Sequence, residues 1–217
     1  MPGGRYLDLS EWPRRTQFEF FRGYELPFFN ICAEVPVGQT LAWCREKDQS
    51  FALACWYLCQ RAVNSIEPFR YRMRDDRVWV HDQVRVAMTA LNSDETFRFC
   101  YLDHAHSFAS FCEQATAVLE RPATDSMDDR PGDDGVIHGS TLPWVRFTGI
   151  AHARRLTKED SVPKIVFGKY GQREGEVMMP VSVEVHHALM DGLHASRFFE
   201  HIERDLSRPE QVLGGQS

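Results

Sequence analysis

This sequence reads as an α/β chain. Four stretches suit helices, several short β-rich runs are separated by turn residues, and one run near the C-terminus alternates with a period of two. Its 217 residues, 43% of them apolar, are enough for one sizeable core, and we read residues 1–217 as a single domain.

The elements follow in order. Trp12-Pro13 sets a proline at the start of a short helix over Arg14 to Arg22. Phe28 to Val37 reads as a strand. Between Asp48 and Ile66, the residues Phe51, Cys55, Leu58, Ala62 and Ile66 form an apolar stripe with Gln60, Arg61 and Asn64 off it, which predicts a helix. Val78 to Val80, Val84 to Leu91 and Phe97 to Tyr101 read as strands joined by turns, and Ser107 to Glu120 as a further helix. The stretch from Arg121 to Gly139 holds five aspartates, three glycines and two prolines, so a solvated loop is expected there. Val181, Val183 and Val185 face one way and Ser182, Glu184 and His186 the other, as in a half-buried strand over Val177 to Val185. Ala195, Phe198, Phe199, Ile202 and Leu206 then predict a helix packed back on the sheet.

A net charge of −6 gives no global pull toward phosphate backbones or anionic lipid. No local basic patch and no run of 18 uncharged apolar residues is visible, so we expect no nucleic-acid partner, no membrane partner and a soluble, cytoplasmic protein. Six cysteines without a CxxC pair read as core hydrophobes in a reducing compartment.

The stretch Val185-His186-His187-Ala188-Leu189-Met190-Asp191-Gly192 falls where the strand gives way to the last helix, and loops at strand ends are where scaffolds expose reactive side chains. Adjacent strand residues point to opposite faces, so at most one of the two histidines meets a given cleft. Asp191 is placed to cap the following helix, and Gly192 lets the chain turn there. Two plainer readings stay open on the residues alone. A strand-end histidine is commonly just a hydrogen-bonded side chain, and Asp-Gly is a common turn. His187, Asp191 and His194 have a spacing that could serve a metal, but the turn at Asp191 breaks the helix that would align them, so no metal is expected.

HHALMDG, together with Trp12-Pro13-Arg14-Arg15 ahead of Phe18-Glu19-Phe20, Arg77-Val78-Trp79-Val80-His81-Asp82, and Ser140-Thr141-Leu142-Pro143-Trp144-Val145, resembles the chloramphenicol acetyltransferase family in order from about Tyr6 to Glu203. We accordingly expect a two-layer α/β sandwich with a mixed, largely antiparallel sheet. The resemblance implies a homotrimer with active sites between subunits, acetyl-CoA as co-substrate, and a small-molecule acceptor, chloramphenicol or a similar amphenicol, inactivated by O-acetylation in a ternary complex. It makes His187 the general base, a role suited to an imidazole that is largely neutral at physiological pH. Ser140 matches the serine that stabilises the tetrahedral intermediate, and Asp191 and Arg14 match an ion pair that supports the loop. Lys169 and Tyr170 match a pair near the nucleotide of coenzyme A. Four positions depart from the family: Phe21 stands where a tyrosine is known, Val166 where a threonine is expected, and Phe28-Phe29 where smaller residues are usual. The alternatives are an acyltransferase of the same fold acting on another small alcohol or amine, or a non-catalytic drug-binding trimer.

Overall fold

The computed structural model describes residues 3–121, 130, 132–155, 157 and 159–215. In chain order these form β1 (Gly4–Tyr6), α1 (Arg15–Phe21), β2 (Phe28–Pro36), α2 (Gly38–Glu46), α3 (Phe51–Ser65), β3 (Tyr71–Arg74), β4 (Arg77–His81), β5 (Arg85–Leu91), β6 (Phe97–Leu102), α4 (Phe108–Leu119), β7 (Val136–Leu142), β8 (Lys164–Gly168), β9 (Gly171–Arg173), β10 (Glu176–His186), α5 (Gly192–Leu206) and α6 (Pro209–Val212). The large sheet has seven strands, in the order β2-β10-β8-β7-β5-β6 with β9 also on β10, and a small sheet has the order β1-β4-β3. Only β5–β7 and β7–β8 run parallel, so the large sheet is mixed and largely antiparallel, as expected.

Helices cover one face of the large sheet. Val181, Val183 and Val185 of β10, Ile165 and Phe167 of β8 and Ile137 of β7 are buried in one core with Trp56 and Leu58 of α3 and Phe198 and Ile202 of α5. Ser50 starts α3 by accepting the Leu53 N–H at 3.3 Å, the expected work of a serine cap. Trp56 lies edge-on to Phe167, with ring centroids 4.8 Å apart, and presses on the backbone at Gly139. A Cβ at 139 would fall 2.4 Å from the Trp56 ring, so this close approach needs glycine.

Among the described residues, the opposite face carries no helix. Its side chains form rows set by the strand register: Ser140, Val166, Ser182 and Cys32 in one, and His138, Lys164, Glu184 and Asn30 in the next. Part of this face is covered by the coil between β7 and β8. Asn30 donates to the carbonyl of Ile150 at 3.4 Å, and Arg154 donates to Glu184 and to Asp160, both at 2.8 Å.

That cover corrects one expectation. The strand over 177–185 is not half-buried: Ser182, Glu184 and His186 are only 0%, 8% and 4% exposed, because β10 is central and the coil roofs its polar side. The acidic stretch also ends earlier than Gly139, since β7 begins at Val136; its residues 122–129 and 131 lie outside the described residues. α1 begins at Arg15, so Pro13 precedes the helix instead of filling its first turn. No described helix is long and apolar enough to cross a membrane.

Candidate active site

The small sheet explains how the histidine loop is held. Phe18, Tyr71, Met73, Val78 and Val80 form a second apolar cluster, and Ala188 and Leu189, the residues just after the histidines, are buried in it. Trp12 packs against the same cluster, its ring 5.7 Å from those of Phe18 and Tyr71. Anchoring Trp12 delivers Arg14, two residues on, to the loop. There the guanidinium donates to Asp191 Oδ2 through Nε at 2.9 Å and to Oδ1 through Nη2 at 2.5 Å. Its remaining donors reach the carbonyls of Ala188 at 3.1 Å and His187 at 3.2 Å. Four bonds from one rigid fork thus fix the loop that carries His187.

Asp191 is the N-cap residue of α5, and its own N–H donates to Nδ1 of His194 at 3.0 Å. Burial works to raise the Asp191 carboxyl, but the hydrogen bonds and charge of Arg14 outweigh it and hold the group below its ordinary value. Asp191 therefore stays ionised at neutral pH.

The two histidines diverge as adjacent strand residues should. His186 is buried edge-on against Phe28 at a centroid distance of 5.1 Å, and its Nδ1 accepts the Ala188 N–H at 3.2 Å. Burial first, then the Arg154 cation and the neighbouring His187, push its pKa down to about 4, so it is neutral. The His187 side chain is 34% exposed. Its ring is stacked on Phe21 at 3.9 Å and leans on Phe29 at 4.7 Å, while its backbone N–H donates to the Pro27 carbonyl at 2.7 Å. Nδ1 of His187 lies 3.5 Å from Asp191 Oδ1, too long for a hydrogen bond but near enough for the carboxylate to favour a proton on Nδ1. Such a tautomer leaves Nε2 with the free lone pair.

The remaining candidates do not join this group within one chain. Ser140 is on the helix-free face beside Val166, its Oγ 3.5 Å from Thr89 Oγ1. The register puts Ser140 two strands across and five residues along from His187, a separation of about 20 Å at ordinary strand spacings. Lys169 and Tyr170 lie still farther along, just past β8, where Lys169 N–H donates to Val145 O at 2.9 Å and Tyr170 meets Phe51 edge-on at 5.5 Å. Phe28 contacts His186, not His187; the ring beside His187 is Phe29. Sequence reading weighs His194 only as a metal ligand and misses its capping contact, a local i to i+3 relation, and it passes over Thr89, which only the sheet register brings to Ser140.

A partly exposed histidine on a braced strand end, on a mixed sheet with one helical layer, fits what the sequence resemblance implies, and comparisons with known proteins identify the family. The chloramphenicol acetyltransferase family model matches residues 5–203. A chloramphenicol acetyltransferase of Streptomyces acrimycini is 30% identical over 209 residues, covering 94% of this chain and 94% of that protein. Chloramphenicol acetyltransferase 2 of Haemophilus influenzae is 28% identical over 202 residues, covering 91% and 94% of the two chains. A solved chloramphenicol acetyltransferase structure superposes with a TM-score of 0.86 at 28% identity, covering 94% of this chain and 100% of that one. The chain belongs to the chloramphenicol acetyltransferase family and is an acyltransferase.

Proposed function

We propose that this chain moves the acetyl group of acetyl-CoA to a hydroxyl of chloramphenicol or a similar amphenicol, with His187 as general base, in a ternary complex within a homotrimer. The observation that carries the reading is the Arg14–Asp191 clamp, which presents a partly exposed His187 ring with its Nδ1 side turned to a carboxylate. Nε2 accepts the acceptor's hydroxyl proton as that oxygen attacks the thioester carbonyl. The tetrahedral intermediate places its negative charge on the former carbonyl oxygen, to which the Ser140 hydroxyl donates. Collapse expels the thiolate of coenzyme A, and the imidazolium returns the proton to it. Binding both substrates together supplies the proximity term, so no acyl-enzyme is needed. Lys169 and the 39% exposed Tyr170 suit a phosphate and a purine ring at the coenzyme's far end.

The separation of about 20 Å between Ser140 and His187 within one chain supports an oligomer in which a site draws the two from different copies. A mixing experiment tests this directly. His187→Ala and Ser140→Ala proteins, each nearly inactive in a thiol-release assay with acetyl-CoA and chloramphenicol, should regain roughly a quarter of wild-type activity when co-refolded in equal amounts, because random assembly restores one intact pairing in four. No recovery in verified mixed oligomers sinks the shared site. No thiol release by wild type with any alcohol or amine sinks the transfer reading and favours a binding protein.

A further inference from the structure

On the helix-free face, the row next to Ser140 and Val166 is charged. His138 precedes Ser140 by two residues on β7, and Lys164 precedes Val166 by two on β8, so both stand about 7 Å from the Ser140 row and on its side of the sheet. His138 is exposed there, yet the protein crowding it and the cations of Lys164 and Arg72 push it down to about 4, which makes it a neutral group beside Lys164. Lys164 is partly buried. Its ammonium donates to the carbonyl of Ala153, and among the described residues no carboxylate lies within ion-pair distance of it. The two nearby carboxylates, Glu184 and Asp160, are engaged by Arg154, which also covers the Phe28 ring. Beside them the Nε2 of His152 is buried without a hydrogen-bond partner among the described residues.

Glu184 and Asp160 favour the charged form of Lys164 from a distance, but burial outweighs them and lowers its pKa, and a half-buried ammonium without a direct ion-pair partner gains when a ligand brings the anion. We propose that the acceptor side of this site prefers amphenicol-like amido alcohols that carry a carboxylate, held by Lys164 with His138 and His152 beside it, over their neutral counterparts. The inference rests on the acyl-transfer reading for placing the acceptor against Ser140 and Val166. It deepens that reading by assigning a charge to the acceptor, and it makes Lys164 a specificity residue.

Matched pairs test it: N-acylserines and the corresponding N-acylserinamides, with acyl groups of increasing size, share a hydroxyl and differ in one charge. Thiol release should favour the acid over its amide in kcat/KM by roughly tenfold or more, the worth of a charge-assisted hydrogen bond. The preference should fall toward unity in Lys164→Met and survive in Lys164→Arg. In wild type it should shrink with added salt, which needs no variant to fold. Equal use of acid and amide, preference for the amide, or an unchanged ratio in a folded Lys164→Met overturns the proposal. Calorimetric binding of the same pairs separates the two levels: without turnover of these pairs, of chloramphenicol or of any other alcohol or amine the transfer reading fails, while tighter binding of acid than amide still upholds the anion subsite and equal binding removes it.

Discussion

Arg14 offers the sharpest quantitative test of the site, because one substitution removes its whole brace. Arg14→Ala deletes two charge-assisted bonds to Asp191, at 2.9 and 2.5 Å, and two bonds to the carbonyls of Ala188 and His187. Bonds to charged groups are worth about 1.5–3 kcal/mol each when shielded from water. The Arg14 side chain is 13% exposed but Asp191 is 38% exposed, so water replaces part of the loss and a total of about 3 kcal/mol is expected. For a chain of this size that is a drop of about 6–12 °C in Tm by differential scanning. The loop that loses its anchor holds His187, and a displacement of about 1 Å at a reacting group costs about 100-fold, read as kcat/KM in the thiol-release assay. The sign of the pH dependence follows from Asp191, whose carboxyl is held low. The stabilisation is present above about pH 4 and is lost as the pH falls through the lowered value, and Arg14→Ala lacks this acid-sensitive share. Arg14→Lys keeps the charge without the fork and should lie between the two. Wild-type Tm and kcat/KM in Arg14→Ala would refute the reasoning that the loop depends on this clamp.

Two further outcomes concern the core and the buried histidine. Gly139→Ala forces a methyl into the Trp56 ring and should cost about 1–3 kcal/mol in urea unfolding; an unaltered midpoint means the ring yields freely. His186, neutral in the fold with a pKa down to about 4, contributes stability that is full above about pH 6.5, declines as the pH falls and levels off near pH 4. Urea midpoints measured across that range should slope less in His186→Asn, and an identical slope would mean the ring is not shielded.

How far the sequence reveals the fold depends on whether one face of an element meets water. α5 was legible because its stripe is continuous and its polar side is solvated, whereas α3 is buried nearly all round from Leu53 to Gln60, so its length and apolar content were readable but Gln60, expected off the stripe, is 1% exposed and donates to the Leu102 carbonyl. β8 was missed because Lys164 to Gly168 is short and central, with no alternation to read. α2 was missed for a different reason: Gly38 to Glu46 has only Thr40, Leu41 and Cys44 buried, too few for a visible stripe. In β10 the alternation itself was real, but the residues read as solvent-facing lie beneath Arg154 and the coil that carries it, contributed by a segment with no pattern of its own. The site divides along the same line. Arg14 and Asp191 are 177 residues apart and no local rule joins them; only the resemblance pointed to their pairing, and the apolar anchoring of Trp12 supplies its physical cause.

The arrangement also separates chemistry from acceptor choice. His187 is braced by contacts that end at the small sheet, through Ala188, Leu189 and Trp12, and by Arg14. Val166, Lys164 and His138 sit on strands of the large sheet and share none of those partners. Substitutions in groups without shared contacts act nearly independently, so the face around Ser140 is free to change its polarity while the base stays fixed in its loop. Phe21 is the exception, because its ring is stacked directly on His187 at 3.9 Å. A hydroxyl added there changes the acceptor pocket and the base's own surroundings together, so kcat and acceptor KM move together at Phe21 whereas Lys164 acts chiefly through the choice of acceptor.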